Sequence, residues 1–529
     1  MKFRNPVISG FHPDPSVCRV GEDYYLVTST FEYFPGVPVF HSRDLVHWRQ
    51  IGFCLTRESQ LPLGNAKCSG GIFAPTIRHH DGLFYMTTTN VSHGGNFFVT
   101  ASDPAGEWSE PTWVSQAGID PSFLFDDDGK VYYASTGTGG GIWQSEIDVA
   151  TGKLLVEPRL IWPGTGGLYP EGPHLYHIDG TYYMMNAEGG TEYGHMEVIA
   201  RSSSPWGPFE PCPHNPILTH RNRIHEIQAT GHADLIQAHD GTWWLVFLAI
   251  RNRGGWFHHL GRETFLAPVS WTDARWPVVN PSTGVPKRDS LRLGSPGSGL
   301  TLTPAERVNR TGAIEIEMDA ECLPPHPWQE EPARDDFDVT RLRLSWNFLR
   351  NPRSADWSLT ERPGWLRLAG SAASIDDLDS PAFVGRRQQH FECRTRSLVD
   401  FRPNVEGEEA GLTALANATH HYEIAIAMRS GRRCVIVHRR IGDLEAVVAE
   451  EPLADGPVTL QIQAEALKYT FSYAQGDRPM RVLAAGMTRH LSSEVASGFT
   501  GVYLGVYVTG HGKPSTTCAD FDWFEYRPL

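Results

Sequence analysis

The sequence predicts an all-β protein in which a five-bladed β-propeller precedes an antiparallel β-sandwich. Five related segments recur in the first half of the chain at the spacing of propeller blades. No long segment between them shows the 3.6-residue period of an amphipathic helix. The second half lacks these repeats and alternates apolar with polar residues, which is typical of a sandwich. We therefore predict a propeller over 1–300, a linker over 301–335 and a sandwich over 336–529.

Each repeated segment joins a short apolar run to an acidic or Gly-containing turn and an aromatic-rich alternating run. This order indicates a β-hairpin. The segments start about 46 to 61 residues apart, which leaves room for four short strands each. They are DPSVCRVGEDYYLVTST, APTIRHHDGLFYMTTT, DPSFLFDDDGKVYYAST, GPHLYHIDGTYYMMNAE and ADLIQAHDGTWWLVFLA, which start at Asp14, Ala74, Asp120, Gly172 and Ala233.

The propeller geometry predicts that the starts of these segments meet at one mouth of a central channel, because the innermost strand of each blade lines that channel. Five residues lie at or just before these starts, and three of them are carboxylates: Asp14, Phe73, Asp120, Glu171 and His232. Asp14 stands between two prolines, which restrict the backbone on both sides of it.

Three converging carboxylates indicate a metal site or acid–base catalysis, because close like charges force at least one pKa upward. The chain has no Asp-rich calcium loop, and Asp126-Asp127-Asp128-Gly129 is interpreted as a hairpin turn. Its His and Cys residues lack the spacing of a zinc site. Glycoside hydrolysis needs one ionised carboxylate and one protonated acid. Asp14 could activate water and Glu171 could protonate the leaving oxygen, with Asp120 raising the pKa of Glu171.

Several motifs also resemble those of one known family. FHPDPSV, IDPSF and YPEGP are similar to the three acidic signatures of glycoside hydrolase family 43, a family of five-bladed propellers. GHADLIQ and LGRETFLAPVSW resemble its β-xylosidase branch. WNFLRNP, WSLTERPGWLRL and SPAFVGRRQQH resemble the accessory domain of those xylosidases, a concanavalin-like jelly roll. The resemblance implies an inverting mechanism with Asp14 as general base, Asp120 as pKa modulator and Glu171 as general acid.

The same resemblance implies a sugar-binding pocket. Arg262 matches an arginine that binds sugar hydroxyls, and Phe31 and Phe73 match apolar walls. His232 matches a histidine below the pocket, near which some members hold a divalent cation, often Ca²⁺. Relatives commonly carry Trp where this chain has Phe73, so the resemblance leaves the sugar preference open.

The resemblance implies an exo-acting enzyme that releases xylose from the non-reducing end of β-1,4-xylo-oligosaccharides. An α-L-arabinofuranosidase or a dual-specificity enzyme is the alternative. The Gly-rich segment YVTGHGKP, from Tyr507 onward, could close the catalytic mouth and contact the sugar. A non-catalytic carbohydrate-binding propeller and a metal-dependent hydrolase of another bond stay open at this point.

The formal charge of −15 argues against a nucleic-acid or anionic-membrane partner. No stretch reaches the roughly 20 apolar residues of a membrane span, and the first ten residues do not resemble a signal peptide. The eight cysteines form no C-x-x-C motif and are expected to be reduced thiols. We therefore expect a cytoplasmic protein that acts on a small oligosaccharide, requires no cofactor beyond a possible Ca²⁺ in the channel, and could form a homo-oligomer.

Overall fold

The computed structural model describes residues 2–281, 312–321 and 323–529. Within these residues almost all regular structure is β-strand, and no helix is long and apolar enough to span a membrane. The helical pieces are a 3-10 turn, Thr488–Leu491, and one helical turn, α1 (Ser493–Ala496). The prediction of an all-β protein is confirmed.

Five antiparallel sheets follow one another along residues 16–279. Strand β1 (Lys2–Arg4) precedes them. The first sheet holds β2 (Ser16–Val20), β3 (Asp23–Val27), β5 (Gly36–Ser42) and β6 (Arg49–Leu55), with β4 (Tyr33–Phe34) outside it. The second holds β7 (Thr76–His80), β8 (Leu83–Asn90), β9 (Gly95–Ala101) and β10 (Thr112–Trp113).

The other three sheets have the same plan. The third holds β11 (Ile119–Phe125), β12 (Val131–Thr136), β13 (Ile142–Asp148), β14 (Lys153–Leu154) and β15 (Arg159–Trp162). The fourth holds β16 (Glu171–Ile178), β17 (Thr181–Glu188), β18 (Met196–Ser202), β19 (Glu210–Pro211) and β20 (Leu218–Thr219). The fifth holds β21 (Ile227–Gln237), β22 (Trp243–Arg251), β23 (Glu263–Trp271) and β24 (Pro277–Val279).

Each predicted repeat forms the first hairpin of one sheet. The turns are set by local sequence: Asp81-Gly82 and Asp179-Gly180 both have positive φ, 48° and 78° in the first pair and 46° and 75° in the second. A two-residue turn with positive φ at both positions matches the right-handed twist of the paired strands, and Asp-Gly adopts it readily. The predicted hairpins are therefore present in all five places.

The first strands of the five sheets contact one another in chain order, and β21 of the fifth sheet also contacts β2 of the first. Apolar clusters fill the spaces between neighbouring sheets. Between the fourth and fifth sheets, for example, Met185 and Ile199 pack with Leu245 and Phe265. The starts of the first strands are thereby brought together at one end of the domain.

The second half forms two stacked antiparallel sheets. One holds β26 (Arg334–Asp335), β28 (Trp357–Ser358), β29 (Leu366–Ala369), β31 (Cys393–Phe401), β36 (Val458–Ala464), β37 (Lys468–Ala474), β38 (Arg481–Met487) and β40 (Cys518–Pro528). The other holds β30 (Ala382–Arg387), β32 (Glu409–Asn417), β33 (His420–Arg429), β34 (Arg432–Ile441), β35 (Leu444–Pro452) and β39 (Tyr503–Thr509). Apolar side chains of both sheets share one core, which confirms the predicted sandwich.

Short strand pairs join the two halves. Strand β25 (Glu317–Asp319) pairs with β1, and β27 (Phe348–Leu349) pairs with β4. Part of the predicted linker over 301–335 is therefore a strand. The predicted boundary between 300 and 301 lies outside the described residues.

Candidate active site

The same backbone irregularity occurs near the start of β2, β11 and β16 and in the middle of β21. Asp14, Asp120 and His232 have φ of 55°, 54° and 49°, and Gly172 has φ of 59°. Strand pairing shifts register at this point in β11, β16 and β21. Positive φ is uncommon for residues other than glycine, and a bulge redirects a side chain out of its strand. The repeat thus turns a group on each of several strands toward one place.

Gly172 shares the positive φ but carries no side chain, and the reason is steric. A Cβ atom at this position would lie 2.8 Å from Nε2 of His232, so a side chain cannot replace the hydrogen without moving the imidazole. The carboxylate of this strand comes instead from Glu171, one residue earlier. Its side chain is only partly buried, whereas Asp14 and Asp120 are 4% and 6% exposed.

A small cavity of about 50 Å³ lies where these strands begin. The structure brings together seven of the residues predicted from the sequence: Asp14, Phe31, Phe73, Asp120, Glu171, His232 and Arg262. Four residues that were not predicted complete the wall: Ala74, Ile119, Thr191 and Phe499. Cavity residues therefore come from the strands or adjoining loops of all five sheets and from the sandwich.

Asp14 is held in its ionised form. Nη1 of Arg262 donates to its Oδ1 at 2.7 Å, the Ser29 hydroxyl donates to its Oδ2, and Nδ1 of His232 lies 3.8 Å away. Burial alone would raise the pKa of Asp14, but Arg262, His232 and Ser29 outweigh it and lower that pKa below its ordinary value. A buried, ionised carboxylate of this kind can accept a proton from water.

The pKa values of Glu171 and Asp120 are raised, in contrast to the lowered pKa of Asp14. Burial and then the negative charge of Asp14 raise the pKa of Glu171 to about 7. Burial, followed by the charges of Glu171 and Asp14, raises the pKa of Asp120 well above its ordinary value. The negative charge of Asp14 thus helps to keep Glu171 protonated, and the role of Asp120 as modulator of that pKa stays a prediction. Asp120 also accepts the backbone N–H of Gly172 at 3.3 Å and so supports the strand that carries Glu171.

Arg262 has an unused donor in the cavity. Its Nη1 also donates to the Thr191 hydroxyl at 3.1 Å, while its buried Nε has no hydrogen-bond partner among the described residues. Buried polar groups are nearly always hydrogen-bonded, so such an atom at a cavity wall indicates a ligand or water partner. The guanidinium carbon lies 5.6 Å from the ring centres of both Phe31 and Phe499.

Three phenylalanines form the apolar part of the wall. The ring centre of Phe31 lies 5.3 Å from that of Phe73 and 5.8 Å from that of Phe499. Phe499 belongs to the sandwich and follows α1. Its backbone N–H donates to the Ser69 hydroxyl at 2.8 Å. The second domain therefore completes the cavity. No repeat or residue spacing in the sequence predicts that Phe499 lies there.

Tyr507, predicted to contact the sugar, does not line the cavity. It lies within β39, is 2% exposed, and donates its hydroxyl to Glu409 inside the sandwich. The prediction is wrong because the sandwich reaches the cavity through the segment before β39, not through the glycine-rich segment after it. The contributing segment is anchored by Glu494 of α1, which lies 2.6 Å from Nδ1 of His258 and accepts the Tyr193 hydroxyl at 2.8 Å.

The residues around His232 do not fit a protein-built calcium site. Ca²⁺ prefers six to eight oxygen ligands, whereas the imidazole faces the Asp14–Arg262 pair. The next carboxylate on the strand, Asp234, already accepts both Nη atoms of Arg78, at 2.8 and 3.1 Å. Burial, opposed by Asp14, lowers the pKa of His232, so the ring is neutral at pH 7.

Over the described parts of the chain, His232 belongs to no trio of His, Cys, Asp or Glu donor atoms within 4.8 Å of one another. The trio that does is Asp126, Asp127 and His177, where β11 and β16 end. A Ca²⁺ ion near His232 stays a prediction from the family resemblance.

Comparison with known proteins agrees with this geometry. Residues 3–277 match the model of glycosyl hydrolases family 43, and residues 334–527 match the β-xylosidase C-terminal concanavalin A-like domain. The chain is 46% identical over 534 residues to the non-reducing end α-L-arabinofuranosidase BoGH43B of Bacteroides ovatus, covering 100% of this chain and 95% of that protein.

Two further relatives extend the comparison. A xylosidase/arabinosidase of Butyrivibrio fibrisolvens is 38% identical, with 98% of both chains covered. The solved structure of the Bacteroides ovatus xyloglucan-locus protein GH43B superposes with a TM-score of 0.92 at 46% identity, with both chains fully covered. The chain therefore belongs to glycosyl hydrolase family 43 and is a glycosidase with the C-terminal domain of that family's β-xylosidases.

Proposed function

We propose that this chain is an exo-acting, inverting glycosidase that releases a terminal pentose from the non-reducing end of an oligosaccharide. One observation carries the proposal. Asp14 is held ionised by Arg262, while Glu171, in the same small cavity, has its pKa raised to about 7. One ready base and one ready acid at the same site are what hydrolysis with inversion requires.

In the proposed reaction, Asp14 takes a proton from a water molecule whose oxygen attacks the anomeric carbon. Glu171 gives its proton to the glycosidic oxygen as the bond from that oxygen to the anomeric carbon breaks. The water oxygen enters on the face opposite to the departing group, so the configuration inverts. Asp14 ends protonated and Glu171 ionised, and exchange with solvent restores both.

Arg262 and the phenylalanines are proposed to bind the sugar. The guanidinium of Arg262 suits a sugar hydroxyl, and Phe31, Phe73 and Phe499 can pack on the apolar C–H faces of the ring. His232 is proposed to hold the carboxylate of Asp14 in place from below. A small cavity closed by the second domain favours removal of one terminal unit over internal cleavage.

We propose that the five sheets are the blades of a five-bladed propeller, with the catalytic domain over 1–300 and the accessory sandwich over 336–529. The contacts of the first strands in ring order support this arrangement. The family matches over 3–277 and 334–527 support the division.

α-L-Arabinofuranose is the proposed first substrate sugar, and xylose is the second candidate. The relative named as an α-L-arabinofuranosidase is 46% identical over the whole chain, which favours the first. The relative named as a xylosidase/arabinosidase supports both activities. Phe73 forms part of the aromatic wall that either sugar would contact.

The proposal is tested with 4-nitrophenyl α-L-arabinofuranoside, 4-nitrophenyl β-xyloside and xylobiose. We expect hydrolysis of the arabinofuranoside to exceed that of the β-xyloside. A chain that hydrolyses neither aryl glycoside, while wild-type folding is confirmed by its thermal transition, would overturn the proposed function.

A further inference from the structure

A second and larger cavity lies between the fourth and fifth sheets, and we call it the distal cavity. It has a volume of about 410 Å³, within the roughly 300–1,000 Å³ of small-molecule sites. Its lining includes Asp179, Tyr183, Gln237, Trp243, Trp271 and Arg275.

The distal cavity is separate from the catalytic cavity. Strand β16 starts at Glu171 and ends at Ile178, directly before Asp179. A strand of this length extends about 23 Å at roughly 3.3 Å per residue. Trp243 and Gln237 flank the hairpin turn at the same far end of β21 and β22. The distal cavity therefore opens on the face opposite to Glu171.

Its floor is aromatic and holds an unused donor. The rings of Trp243 and Trp271 lie 5.4 Å apart at 74°, and those of Tyr183 and Trp271 lie 5.3 Å apart at 65°. The buried Nε1 of Trp271 has no hydrogen-bond partner among the described residues. A buried indole N–H usually finds an acceptor, so this atom lacks the partner that such a group normally has.

Two polar side chains at its rim already have partners. Nη2 of Arg275 lies 2.7 Å from Asp179, and Nδ1 of His177 lies 2.7 Å from Asp126. An anion or a cation would therefore compete with the existing partners of these side chains. A neutral ligand would not, and the exposed amide of Gln237 offers it both a donor and an acceptor.

We propose that the distal cavity is a second binding site for a neutral oligosaccharide chain, with sugar rings packed on Trp243 and hydroxyl groups bonded by Gln237. The choice of a plant pentosan as ligand rests on the proposed function. Because the two cavities face opposite ways, a polysaccharide bound at the distal cavity holds the enzyme near other chain ends. It thereby raises their effective concentration at the catalytic cavity.

The test is affinity electrophoresis in native gels with and without soluble arabinoxylan, run with wild type, Trp243→Ala and Gln237→Trp. Trp113→Ala serves as matched control, because Trp113 is an exposed tryptophan on β10, away from both cavities. We expect arabinoxylan to retard wild type and the control. The apparent affinity for arabinoxylan should be at least about 5-fold weaker in the two distal variants, because the loss of about 1 kcal/mol of stacking and hydrogen bonding corresponds to that factor. Turnover of aryl glycosides should stay within 2-fold of wild type, by roughly the tolerance of surface changes.

Equal retardation of wild type and both distal variants, or no retardation of wild type, would overturn the proposal. Gln237→Trp decides the outcome if Trp243→Ala fails to fold, because Gln237 is exposed and its replacement fills the cavity without removing core contacts. Failure of the proposed function is seen separately, as absent hydrolysis of the aryl glycosides by wild type.

Discussion

Replacing Glu171 by Gln should make the rate depend steeply on the leaving group. With a pKa of about 7, Glu171 is about 90% protonated at pH 6, so most wild-type molecules carry the acid. Gln has nearly the same shape but no proton to give. A positioned general acid contributes about 10²–10⁴-fold, or roughly 3–5 kcal/mol of barrier, when the leaving group is a poor one.

The assay compares xylobiose or an arabinoxylo-oligosaccharide with 2,4-dinitrophenyl glycosides, whose leaving group departs without a proton. We expect kcat of Glu171→Gln to fall by about 10²–10⁴-fold on the oligosaccharide and by less than about 10-fold on the dinitrophenyl substrate. Glu192→Gln is the matched control, because Glu192 is exposed on the loop beside Thr191. Equal losses on both substrates would refute Glu171 as the acid.

Three other predictions follow from the same structure. The rate constant kcat/KM should decline as pH rises through about 7, because Glu171 loses its proton there. It should stay constant at acidic pH, because the lowered pKa of Asp14 keeps that residue ionised. A rise of kcat/KM above pH 7 would contradict this assignment of acid and base. Phe499→Ala should lower kcat/KM by about 10-fold, because roughly 1.4 kcal/mol of apolar contact with the sugar is lost. The kcat/KM of Phe499→Leu should lie between those of wild type and Phe499→Ala. An unchanged kcat/KM in Phe499→Ala would exclude Phe499 from the sugar site. In the sandwich, the carboxylates around buried His421 outweigh the effect of burial and raise the pKa of His421 to about 10. The stability that protonated His421 gives the folded protein is therefore complete below about pH 6.5 and is lost as pH rises through about 10. Between pH 7 and 10, the free energy of urea unfolding should therefore fall less for His421→Gln than for wild type or for the control His214→Gln, which changes an exposed residue. An equal fall in all three proteins would contradict this role of His421.

The repeats made much of the fold and site predictable. Asp14, Asp120 and Glu171 could be placed together because each stands at, or one residue before, the start of a segment that repeats in the sequence, and equivalent points of neighbouring sheets meet in space. The Asp-Gly turns located the hairpins for a local reason, since their backbone preference is intrinsic.

The contribution of the sandwich could not be predicted in this way. Phe499 reaches the cavity through docking of one domain on another, which leaves no period in the sequence. Tyr507 was misplaced because a glycine-rich segment indicates a loop but not which end of a strand faces the other domain. The pKa order of Asp14 and Asp120 depends on which carboxylate Arg262 contacts, and that is a matter of three-dimensional distance alone.

If Asp14 activates water on the face opposite to Glu171, the first product carries the inverted anomeric configuration. Proton NMR recorded during the first minutes of hydrolysis distinguishes the two anomers before they interconvert. We predict that an α-L-arabinofuranoside first gives β-L-arabinofuranose and that a β-xyloside first gives α-xylose. First appearance of the anomer with retained configuration would contradict the account, because it would require a carboxylate to attack the sugar in place of water.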